Sequence, residues 1–485
     1  MPETYGNFIA GEWVNSSSGK VFDSINPANT DEIVARYQSS TSEDVKNAFE
    51  VAQKAQSAWA AMPAPNRGII LMKAAEILER RAESVATDMT REEGKTLPEA
   101  KGEVGRAINI FRYFGGEGAR FSGETVPSER DGVFAYTFRK PLGVVSLLTP
   151  WNFPVAIPAW KIAPALITGN SVVVKPASVA PLCTIRLIEA LHEAGLPKGA
   201  INMVTGSGAA IGDELISNSA VKAISFTGSC EVGTGIQRKT VQRGIKTQLE
   251  MGGKNPTIVL RDADLNMAAD IVVNAAFFST GQKCTATSRA IIEEAIFEDF
   301  VKLLVEKTRK LRVGNGMEKG IDIGPCVDEG QMNTVLRYID VGKKEGGKIL
   351  CGGKRLAGAG YDKGYFVEPT IFSGITPEMT IAQEEIFGPV LAVLPVKDFD
   401  AAIQMANNVK FGLSASLLTN QLNKVFNYIN RIEAGLIIVN LPSAGVEYQL
   451  PFGGTKASST GHREQGSVAI DFYSELRTVY LKYQV

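Results

Sequence analysis

The sequence predicts an α/β protein with two doubly wound domains and a small β-ribbon. Short β-branched runs alternate with helical stretches through the middle of the chain, as in parallel sheets with right-handed crossovers. A second alternation of this kind begins after Asn255 and continues to about Asn440. Residues 477–483 alternate as a strand does, and a lone apolar strand would be an exposed edge. We therefore expect this strand to pair with the strand-like segment 132–138 or with another subunit.

The first part of the chain is helical in pattern. Ser42 is a candidate cap for one helix, and a second helix is predicted over about residues 66–91. A third helix has one apolar face, formed by Val104, Ala107, Ile108, Phe111 and Phe114. The first alternation then predicts strands at 143–149, 171–174, 201–204, 223–226 and 246–249, with helices near 158–166, 181–194, 209–217 and 231–243. The second predicts strands near 287–292, 413–418 and 436–440, with helices near 297–311, 332–344, 399–406 and 422–431.

The loops that follow the strands of the first alternation are rich in reactive and polar groups. Glycines, a lysine, hydroxyls, an amide and a carboxylate collect at 149–152, 175–178, 205–208, 227–229 and 250–253. In parallel sheets, ligands bind beyond the carboxyl ends of the strands. The sequence therefore predicts a ligand site along this edge.

Composition excludes several functional classes. Among 485 residues, 51 Lys plus Arg and 52 Asp plus Glu leave a net charge of −1, so no general attraction to nucleic acid or anionic membranes is expected. The five cysteines include no C-x-x-C pair, which predicts a reducing cytoplasm rather than a disulfide framework. The first residues have no signal pattern, and no run of 18 apolar residues exists. We expect a cytoplasmic protein.

Several residues are candidates for chemistry from their immediate surroundings. The spacing Gly206, Gly208, Gly212 after a strand is a weak dinucleotide signal, and the turn 226–229 before the next helix could hold a pyrophosphate. Cys284 has polar, glycine-containing flanks and a neighbouring lysine, so a reactive thiolate competes with the default of a buried small side chain. The pair 384–385 is compatible with either a helix cap or a ligand contact.

Six motifs in one order give the chain a clear resemblance to the NAD(P)-dependent aldehyde dehydrogenases, over nearly all 485 residues. The motifs are residues 150–154 (PWNFP), 226–229 (FTGS), 249–254 (LEMGGK), 281–284 (GQKC), 384–389 (EEIFGP) and 451–454 (PFGG). The segment 439–449 looks most like the α-ketoglutaric semialdehyde (2,5-dioxovalerate) dehydrogenases. The resemblance implies an aldehyde-dehydrogenase-like fold, oxidation of an aldehyde to the acid, and no metal.

The catalytic residues implied by the resemblance are Cys284, Glu250, Asn152 and Lys161. Cys284 matches the nucleophile that would form a thiohemiacetal and then a thioester. Asn152 matches the amide that, with the Cys284 N–H, holds the developing oxyanion. Glu250 matches the general base that activates water to release the acid, so this division of roles needs no histidine.

The resemblance also implies a nicotinamide dinucleotide site. Its residues are Thr149, Pro150, Trp151, Lys175, Ser178, Gly208, Gly212, Phe226, Thr227, Gly228, Ser229, Val232, Glu385 and Phe387. Lys175 matches the lysine at the adenosine ribose. Many NAD-preferring members carry a glutamate three residues later, whereas this chain has Ser178. Without that carboxylate a 2′-phosphate is not repelled, so we expect NADP as well as NAD to be accepted.

The substrate tunnel implied by the resemblance contains Arg106, Phe153, Trp160, Phe278, Ser443 and Gln449. Arg106 is a candidate partner for a distal substrate carboxylate, against the alternative of a surface arginine or an ion pair with Glu103. We expect a semialdehyde with a distal carboxylate. Trp160 stands where succinic semialdehyde dehydrogenases carry an arginine, which counts against that substrate. A broad-specificity aldehyde dehydrogenase is the other alternative within the family.

The expected domain limits are residues 1–122 and 142–254 for dinucleotide binding, 255–453 for catalysis, and 123–141 with 470–485 for an oligomerisation ribbon in a homodimer or homotetramer. Three alternatives are weighed: a thiol hydrolase or acyl transferase, a catalytically silent relative, and transfer of the thioester to coenzyme A. A silent relative would be expected to have lost Cys284 or Glu250, and both are present. A thiol hydrolase or acyl transferase would need a histidine partner, and neither His192 nor His462 is an obvious one. Retention of Glu250 favours water over coenzyme A.

Overall fold

A computed structural model describes residues 2–484. The strands are β1 (Thr4–Tyr5), β2 (Asn7–Ile9), β3 (Glu12–Val14), β4 (Val21–Ile25), β5 (Ile33–Gln38), β6 (Thr125–Val126), β7 (Val133–Pro141), β8 (Val144–Leu148), β9 (Ser171–Lys175), β10 (Ile201–Met203), β11 (Val221–Thr227), β12 (Lys246–Glu250), β13 (Asn255–Val259), β14 (Thr287–Glu293), β15 (Lys348–Cys351), β16 (Thr370–Ser373), β17 (Val390–Val396), β18 (Phe411–Gly412), β19 (Ser414–Leu418), β20 (Leu436–Val439), β21 (Thr455–Lys456), β22 (Ser459–Thr460) and β23 (Ser474–Lys482).

The helices surround these strands. They are α1 (Ser42–Ala61), α2 (Ala64–Arg80), α3 (Ala82–Glu93), α4 (Leu97–Glu117), α5 (Ala156–Ile167), α6 (Leu182–Glu193), α7 (Gly208–Ser217), α8 (Cys230–Thr240), α9 (Leu265–Phe277), α10 (Phe297–Arg309), α11 (Glu329–Lys344), α12 (Thr380–Gln383), α13 (Phe399–Asn407), α14 (Leu422–Arg431) and α15 (Ala469–Tyr473), with 3₁₀ turns at Val241–Arg243, Phe278–Gly281 and Glu294–Ile296.

The first large sheet has eight strands in the order β22-β12-β11-β8-β9-β10-β2-β3. Its five central strands are parallel, whereas β22, β2 and β3 join antiparallel at the edges. The parallel strands are almost continuously buried, since helices cover both faces and β-branched residues suit such positions. The predicted doubly wound sheet is confirmed here.

The second large sheet has seven strands in the order β15-β16-β17-β14-β13-β19-β20. All neighbours are parallel except β15, which runs antiparallel to β16. Strands β13 and β17 were not anticipated. Both are buried along most of their length, and a short apolar run does not by itself distinguish a strand from a buried helix.

The terminal strand β23 pairs antiparallel with β7, from Ser474 opposite Pro141 to Lys482 opposite Val133. The expected pairing within the chain is therefore confirmed. Together with β6 the two strands form a three-stranded ribbon in the order β23-β7-β6. The limits of the domains stay a prediction.

Two predictions about the first part of the chain were wrong. The helix expected over residues 66–91 is two helices, because Arg81 lies between α2 and α3 with φ −103° and ψ 7°. The N-terminal segment is also not simply helical, since β1 to β5 precede α1. Strands β2 and β3 extend the eight-stranded sheet through pairing with β10, a long-range contact that local periodicity does not encode.

Candidate active site

The carboxyl ends of three neighbouring parallel strands form the floor of the site. Strand β11 lies between β8 and β12, with Phe226 opposite Leu148 and Thr227 opposite Glu250. The hydroxyl oxygens of Thr149 and Thr227 are buried there, and neither has a hydrogen-bond partner among residues 2–484. Buried hydroxyls are nearly always satisfied, so these two indicate a surface built to receive a polar ligand.

Cys284 follows a loop with unusual backbone geometry. Ser279, Thr280 and Gly281 have φ values of 55°, 58° and 65°, although a left-handed conformation is unfavourable for a β-branched threonine. The carboxylate of Glu99 accepts hydrogen bonds from the Ser279 N–H at 2.7 Å and its hydroxyl at 3.2 Å, and Thr280 Oγ1 donates to the Gly324 carbonyl at 3.0 Å. These contacts hold the strained loop in place before the thiol.

The Cys284 thiol is partly exposed and lines a cavity. Its carbonyl oxygen accepts a hydrogen bond of 2.7 Å from Asn255 Nδ2, which anchors the residue to the start of β13. Burial of the sulfur, with the nearby charges of Glu385 and Glu250, raises the pKa of the Cys284 thiol to about 12. Burial and the two acidic groups therefore oppose ionisation of the free thiol.

Asn152 is buried close to this loop. Its Nδ2 donates to the Gln282 carbonyl at 3.0 Å, and its own carbonyl accepts a hydrogen bond from Lys95 Nζ at 2.7 Å. Lys95 is also paired with Glu103 at 2.5 Å, and both side chains are about 2% exposed. The other oxygen of Glu103 accepts hydrogen bonds from the first N–H groups at the start of α5. The buried ion pair thus holds the Asn152 backbone, and the Gln282 carbonyl binds the side-chain amide that the resemblance assigned to the oxyanion.

Glu250 ends β12 with its carboxylate fully enclosed. Ser459 Oγ donates to its Oε2 at 2.5 Å, whereas Oε1 is buried with no partner among the described residues. Burial and the charge of Glu464 raise the pKa of Glu250 well above its usual value, against the opposing influence of Ser459, Lys161 and Arg463. A carboxyl group with a raised pKa is a stronger base than an ordinary glutamate.

Lys161 does not reach the surface, because it forms a buried ion pair with Glu464. Lys161 Nζ also donates to Ser225 Oγ at 2.8 Å, and Trp160 Nε1 donates to Glu464 at 2.8 Å. Lys161 therefore influences Glu250 through charge. The sequence analysis did not identify Glu464, which lies 303 residues from Lys161, and no spacing pattern links the two.

The turn after β11 and the start of α8 have the geometry expected of a phosphate site. Ser229 is the N-cap of α8, and its side chain accepts a hydrogen bond from Val232 N. A Cβ on Gly228 would lie 2.5 Å from Cζ of Phe226, so only glycine fits at this position. Val232 is exposed on the first turn of α8. Backbone N–H groups at this helix terminus remain available to an anion.

Lys175 and Ser178 lie at the end of β9, beside the turn that follows β10. Ser178 Oγ donates to the Gly206 carbonyl at 2.8 Å, and Lys175 Nζ donates to the Pro176 carbonyl at 2.9 Å. Burial lowers the pKa of Lys175 to about 8. Gly208 and Gly212 lie in the first turns of α7, where an added Cβ would meet open space. Neither glycine is required by packing within the chain.

Glu385 connects the turn after α12 to the first sheet. Its Oε1 accepts a hydrogen bond of 2.9 Å from Gly253 N, and a Cβ on Gly252 would lie 2.2 Å from its Oε2. Burial raises the pKa of Glu385 to about 7. Phe387 packs edge-on against Trp151 at 5.3 Å, in the loop that also contains Pro150. Glu384 is exposed and accepts a hydrogen bond from Tyr338, whereas the contact of Glu385 with a ligand stays a prediction.

A cavity of about 310 Å³ leads to the Cys284 thiol. Its wall contains the predicted residues Arg106, Phe153, Trp160 and Phe278, together with Lys283, Val446 and Phe452. Arg106 is neither a surface arginine nor an ion-pair partner of Glu103, which is held by Lys95. The Nε of Arg106 is buried without a partner among the described residues, and burial lowers the pKa of its guanidinium.

Two predicted tunnel residues are not in the cavity wall. Ser443 is fully buried behind it, where its hydroxyl donates to the Thr285 carbonyl at 2.7 Å. Gln449 is exposed and hydrogen-bonded to Glu447. Residues 444–446, between these two positions, line the cavity instead. The segment was correctly placed near the site, but which of its side chains face inward depends on the loop conformation.

Across residues 2–484, no helix is long and apolar enough to cross a membrane. The same residues contain no group of three or more His, Cys, Asp or Glu side chains arranged to hold a metal ion.

Comparison with known proteins agrees with the geometry. The sequence model of the aldehyde dehydrogenase family matches residues 13–479 of this chain. An α-ketoglutaric semialdehyde dehydrogenase of Bacillus subtilis is 49% identical over 479 residues, 99% of this chain and 98% of that protein. A 2,5-dioxopentanoate dehydrogenase of Saccharolobus solfataricus is 45% identical over 97% of this chain and 98% of its own length. A crystal structure of betaine aldehyde dehydrogenase from Staphylococcus aureus in complex with NAD⁺ has a TM-score of 0.96 at 34% identity, covering 99% and 96% of the two chains.

Cys284, in the wall of the cavity, lies close enough to Glu250 at the end of β12 for the two groups to interact by charge. With the family match and these relatives, the chain belongs to the aldehyde dehydrogenase family of oxidoreductases.

Proposed function

We propose that Cys284 attacks an aldehyde and that the chain releases the product as a carboxylic acid. The observation that carries this proposal is the partly exposed thiol at the wall of a cavity, next to a buried amide and two buried carboxylates with raised pKa values. Attack of the sulfur on the carbonyl carbon places negative charge on the oxygen. The Asn152 Nδ2 group and the Cys284 backbone N–H are the donors for that oxygen.

Proton transfer is assigned to Glu250. Glu250 acts on the free thiol only through its charge, as Glu385 does, and its task as a base lies in the second half of the reaction. In the second half of the reaction, Glu250 takes a proton from water while the water oxygen bonds to the thioester carbon. The carbon–sulfur bond then breaks, which releases the acid and leaves the sulfur ready for another turnover.

The residues along the sheet edge fit a nicotinamide dinucleotide. Ser229 and the first turn of α8 would hold the pyrophosphate, Lys175 and Ser178 the adenosine ribose, and Glu385 with Phe387 the nicotinamide end. When bound, the cofactor would accept the hydride that leaves the carbon attached to Cys284. The unpartnered hydroxyls of Thr149 and Thr227 support a polar ligand at this edge.

A spectrophotometric assay distinguishes this proposal from its competitors. Aldehydes differing in chain length and in the presence of a terminal carboxylate are mixed with NAD or NADP, and the absorbance of the reduced nicotinamide is followed. An increase that needs no coenzyme A supports the proposal. A strict requirement for coenzyme A would indicate acyl transfer, and thioester or amide hydrolysis without nicotinamide reduction would indicate a thiol hydrolase.

For the substrate, we propose a semialdehyde with a distal carboxylate, α-ketoglutaric semialdehyde being the first candidate. The names of the similar proteins from Bacillus subtilis and Saccharolobus solfataricus support this class. The cavity supports it independently, because it contains Arg106 and Lys283. The acidic Glu99 and Glu103 in the same wall are already occupied by hydrogen bonds from the protein. The unmatched charge in the wall is therefore positive.

Replacing Arg106 with alanine is expected to lower kcat/KM for ω-carboxy aldehydes about 10- to 100-fold. This range corresponds to the free energy lost when a hydrogen bond to a charged group is removed. Uncharged aldehydes of the same length should change by less than about threefold, since the substitution leaves Cys284 and Asn152 in place. Arg106→Lys keeps the charge but loses the planar fork, so an intermediate effect is expected. Equal losses with both kinds of aldehyde would contradict a carboxylate-binding role.

For the cofactor, we propose that NADP is accepted together with NAD. The NAD⁺ complex of the Staphylococcus aureus relative supports NAD, and the absence of a carboxylate at Ser178 supports NADP. Burial lowers the pKa of Lys175 to about 8, and a 2′-phosphate beside it would raise that pKa, because a neighbouring anion favours the charged form of the amine.

Replacing Ser178 with glutamate is expected to weaken NADP binding at least about tenfold while NAD binding changes little, because a carboxylate repels the 2′-phosphate at close range. Dissociation constants measured from quenching of protein fluorescence, without substrate, provide the comparison. Ser178→Gln, which has similar size and no charge, is the matched control. Strict use of NAD by the unmodified chain would contradict the proposal that NADP is accepted.

We also propose a homo-oligomer, dimer or tetramer, located in the cytoplasm. Apolar side chains of the ribbon are exposed in the single chain, among them Phe134, Phe138, Leu476 and Tyr480. Strand β23 forms an unpaired edge of that ribbon, and such edges are usually covered. Light scattering on the purified chain measures its mass directly, and a value of 52.1 kDa would contradict self-association.

A further inference from the structure

Ser459 is placed against Glu250 by the sheet itself. Strand β22 runs antiparallel to β12, with Ser459 directly opposite Glu250. The Ser459 hydroxyl lies 2.5 Å from Oε2 of the carboxylate. None of the sequence motifs includes Ser459.

The direction of this hydrogen bond follows from the second contact of the serine. Gly454 N–H donates to Ser459 Oγ at 2.6 Å, so the serine oxygen acts as the acceptor there. The single hydroxyl proton is then directed to Glu250 Oε2. A donor facing a carboxyl group favours its ionised form, which is the form that a general base needs.

The second oxygen of Glu250 has no such restraint. Oε1 is buried without a partner among residues 2–484. Gly453 leaves the space beside it, since a Cβ there would lie 2.8 Å from Oε1 at a φ of +150°. One oxygen is therefore anchored, and the other is left for a water molecule.

The remaining charged groups around Glu250 do not provide an equivalent anchor. Lys161 is paired with Glu464, whose own charge opposes ionisation of Glu250. Arg463 donates to the Gly454 carbonyl, and its charge favours ionisation from a distance. The charge of Glu250 also acts on the Cys284 thiol, which is not a donor to the carboxylate. Among the described residues, Ser459 is the one whose side chain donates a hydrogen bond to the Glu250 carboxylate.

We propose that Ser459 is a positioning residue for the hydrolytic half of the reaction: its hydroxyl holds Oε2 so that Oε1 of the ionised Glu250 faces the water that attacks the Cys284 thioester. This inference rests on the proposed role of Glu250. In the step itself, the water oxygen bonds to the thioester carbon and its proton moves to Oε1. The carbon–sulfur bond breaks, and the electron pair stays on sulfur.

The test compares Ser459→Ala with Ser459→Thr, which retains the hydroxyl, and with Thr460→Ala, which removes a hydroxyl from the neighbouring residue of β22. Loss of a hydrogen bond to a charged group is expected to slow hydrolysis about tenfold at pH 7. The acidic limb of the kcat profile should move upward by about one pH unit, since the ionised form loses its donor. Ser459→Thr should restore the rate to within about threefold, and Thr460→Ala should leave it unchanged.

Quenched reaction mixtures analysed by intact-protein mass spectrometry report the acyl group on Cys284. Ser459→Ala should accumulate this species, while the first-turnover burst of reduced nicotinamide keeps its rate. Combining Ser459→Ala with Glu250→Gln should add no further loss, because both changes act on one group. If Ser459→Ala does not fold, Ser459→Gly removes the same hydroxyl and provides the same readouts.

The outcomes separate the two proposals. If Glu250→Gln slows hydrolysis but Ser459→Ala changes neither the acyl-enzyme level nor the pH limb, the positioning role is wrong. Additive losses in the double variant would also overturn it. If Glu250→Gln itself leaves hydrolysis unchanged, the assignment of Glu250 as the base fails instead.

Discussion

Replacing Cys284 with alanine is expected to lower aldehyde oxidation by about 10⁴-fold or more, because the covalent route requires this sulfur. The absorbance of reduced nicotinamide under saturating aldehyde measures the loss. Cys351→Ala is the matched control, since that thiol is also half-buried but lies on β15, and activity should be retained. Both variants should bind the dinucleotide as the unmodified chain does.

Two further results would contradict what is proposed for the Cys284 thiol, namely its covalent role and its raised pKa. Substantial turnover by Cys284→Ala would exclude a covalent mechanism. Alkylation by iodoacetamide, located by peptide mass spectrometry, gives an independent check. Because the pKa of the free thiol is about 12, its alkylation rate should rise steadily from pH 7 to pH 10. A rate that is already constant at pH 7 would show that the thiol is ionised there.

Replacing Glu250 with glutamine is expected to lower kcat about 10²- to 10⁴-fold, the usual contribution of a general base. The acyl group should then accumulate on Cys284, and intact-protein mass spectrometry detects it. Glu318→Gln is the control, because that glutamate is exposed and lies in the loop between α10 and α11. A Glu250→Gln variant that turns over normally would contradict the assignment.

The pH dependence of activity in the unmodified chain follows from the titration of Glu250. Burial and Glu464 raise the pKa of Glu250, and a base acts only when deprotonated. Activity should therefore be lost as the pH falls through this raised pKa, at a higher pH than an ordinary glutamate would give. In Glu250→Gln this acidic limb should disappear, since the titrating group is gone.

Sequence patterns were sufficient where the chemistry is local. The turn 226–229, the PWNFP and EEIFGP segments and the loop before Cys284 each combine glycine with polar side chains over a few residues. The structure brings Asn152, Glu250, Glu385 and Cys284 together, as those segments predicted. Arg106 was left between three interpretations, and its cavity-facing position could be recognised only after Glu103 was found paired with Lys95.

The sequence by itself determined the fold class and predicted the ligand edge of the first sheet, because strand and helix periods and turn chemistry depend on neighbouring residues. The flanks of Cys284 left its role open, and only the family resemblance singled it out as the nucleophile. Only the tertiary structure decided that Glu464 neutralises Lys161, that Ser459 anchors Glu250, and that Ser443 and Gln449 lie outside the cavity. Those contacts join residues that are hundreds of positions apart or depend on one loop conformation. Burial and charge pairing of this kind arise from the packing of the whole chain, which no short sequence window contains.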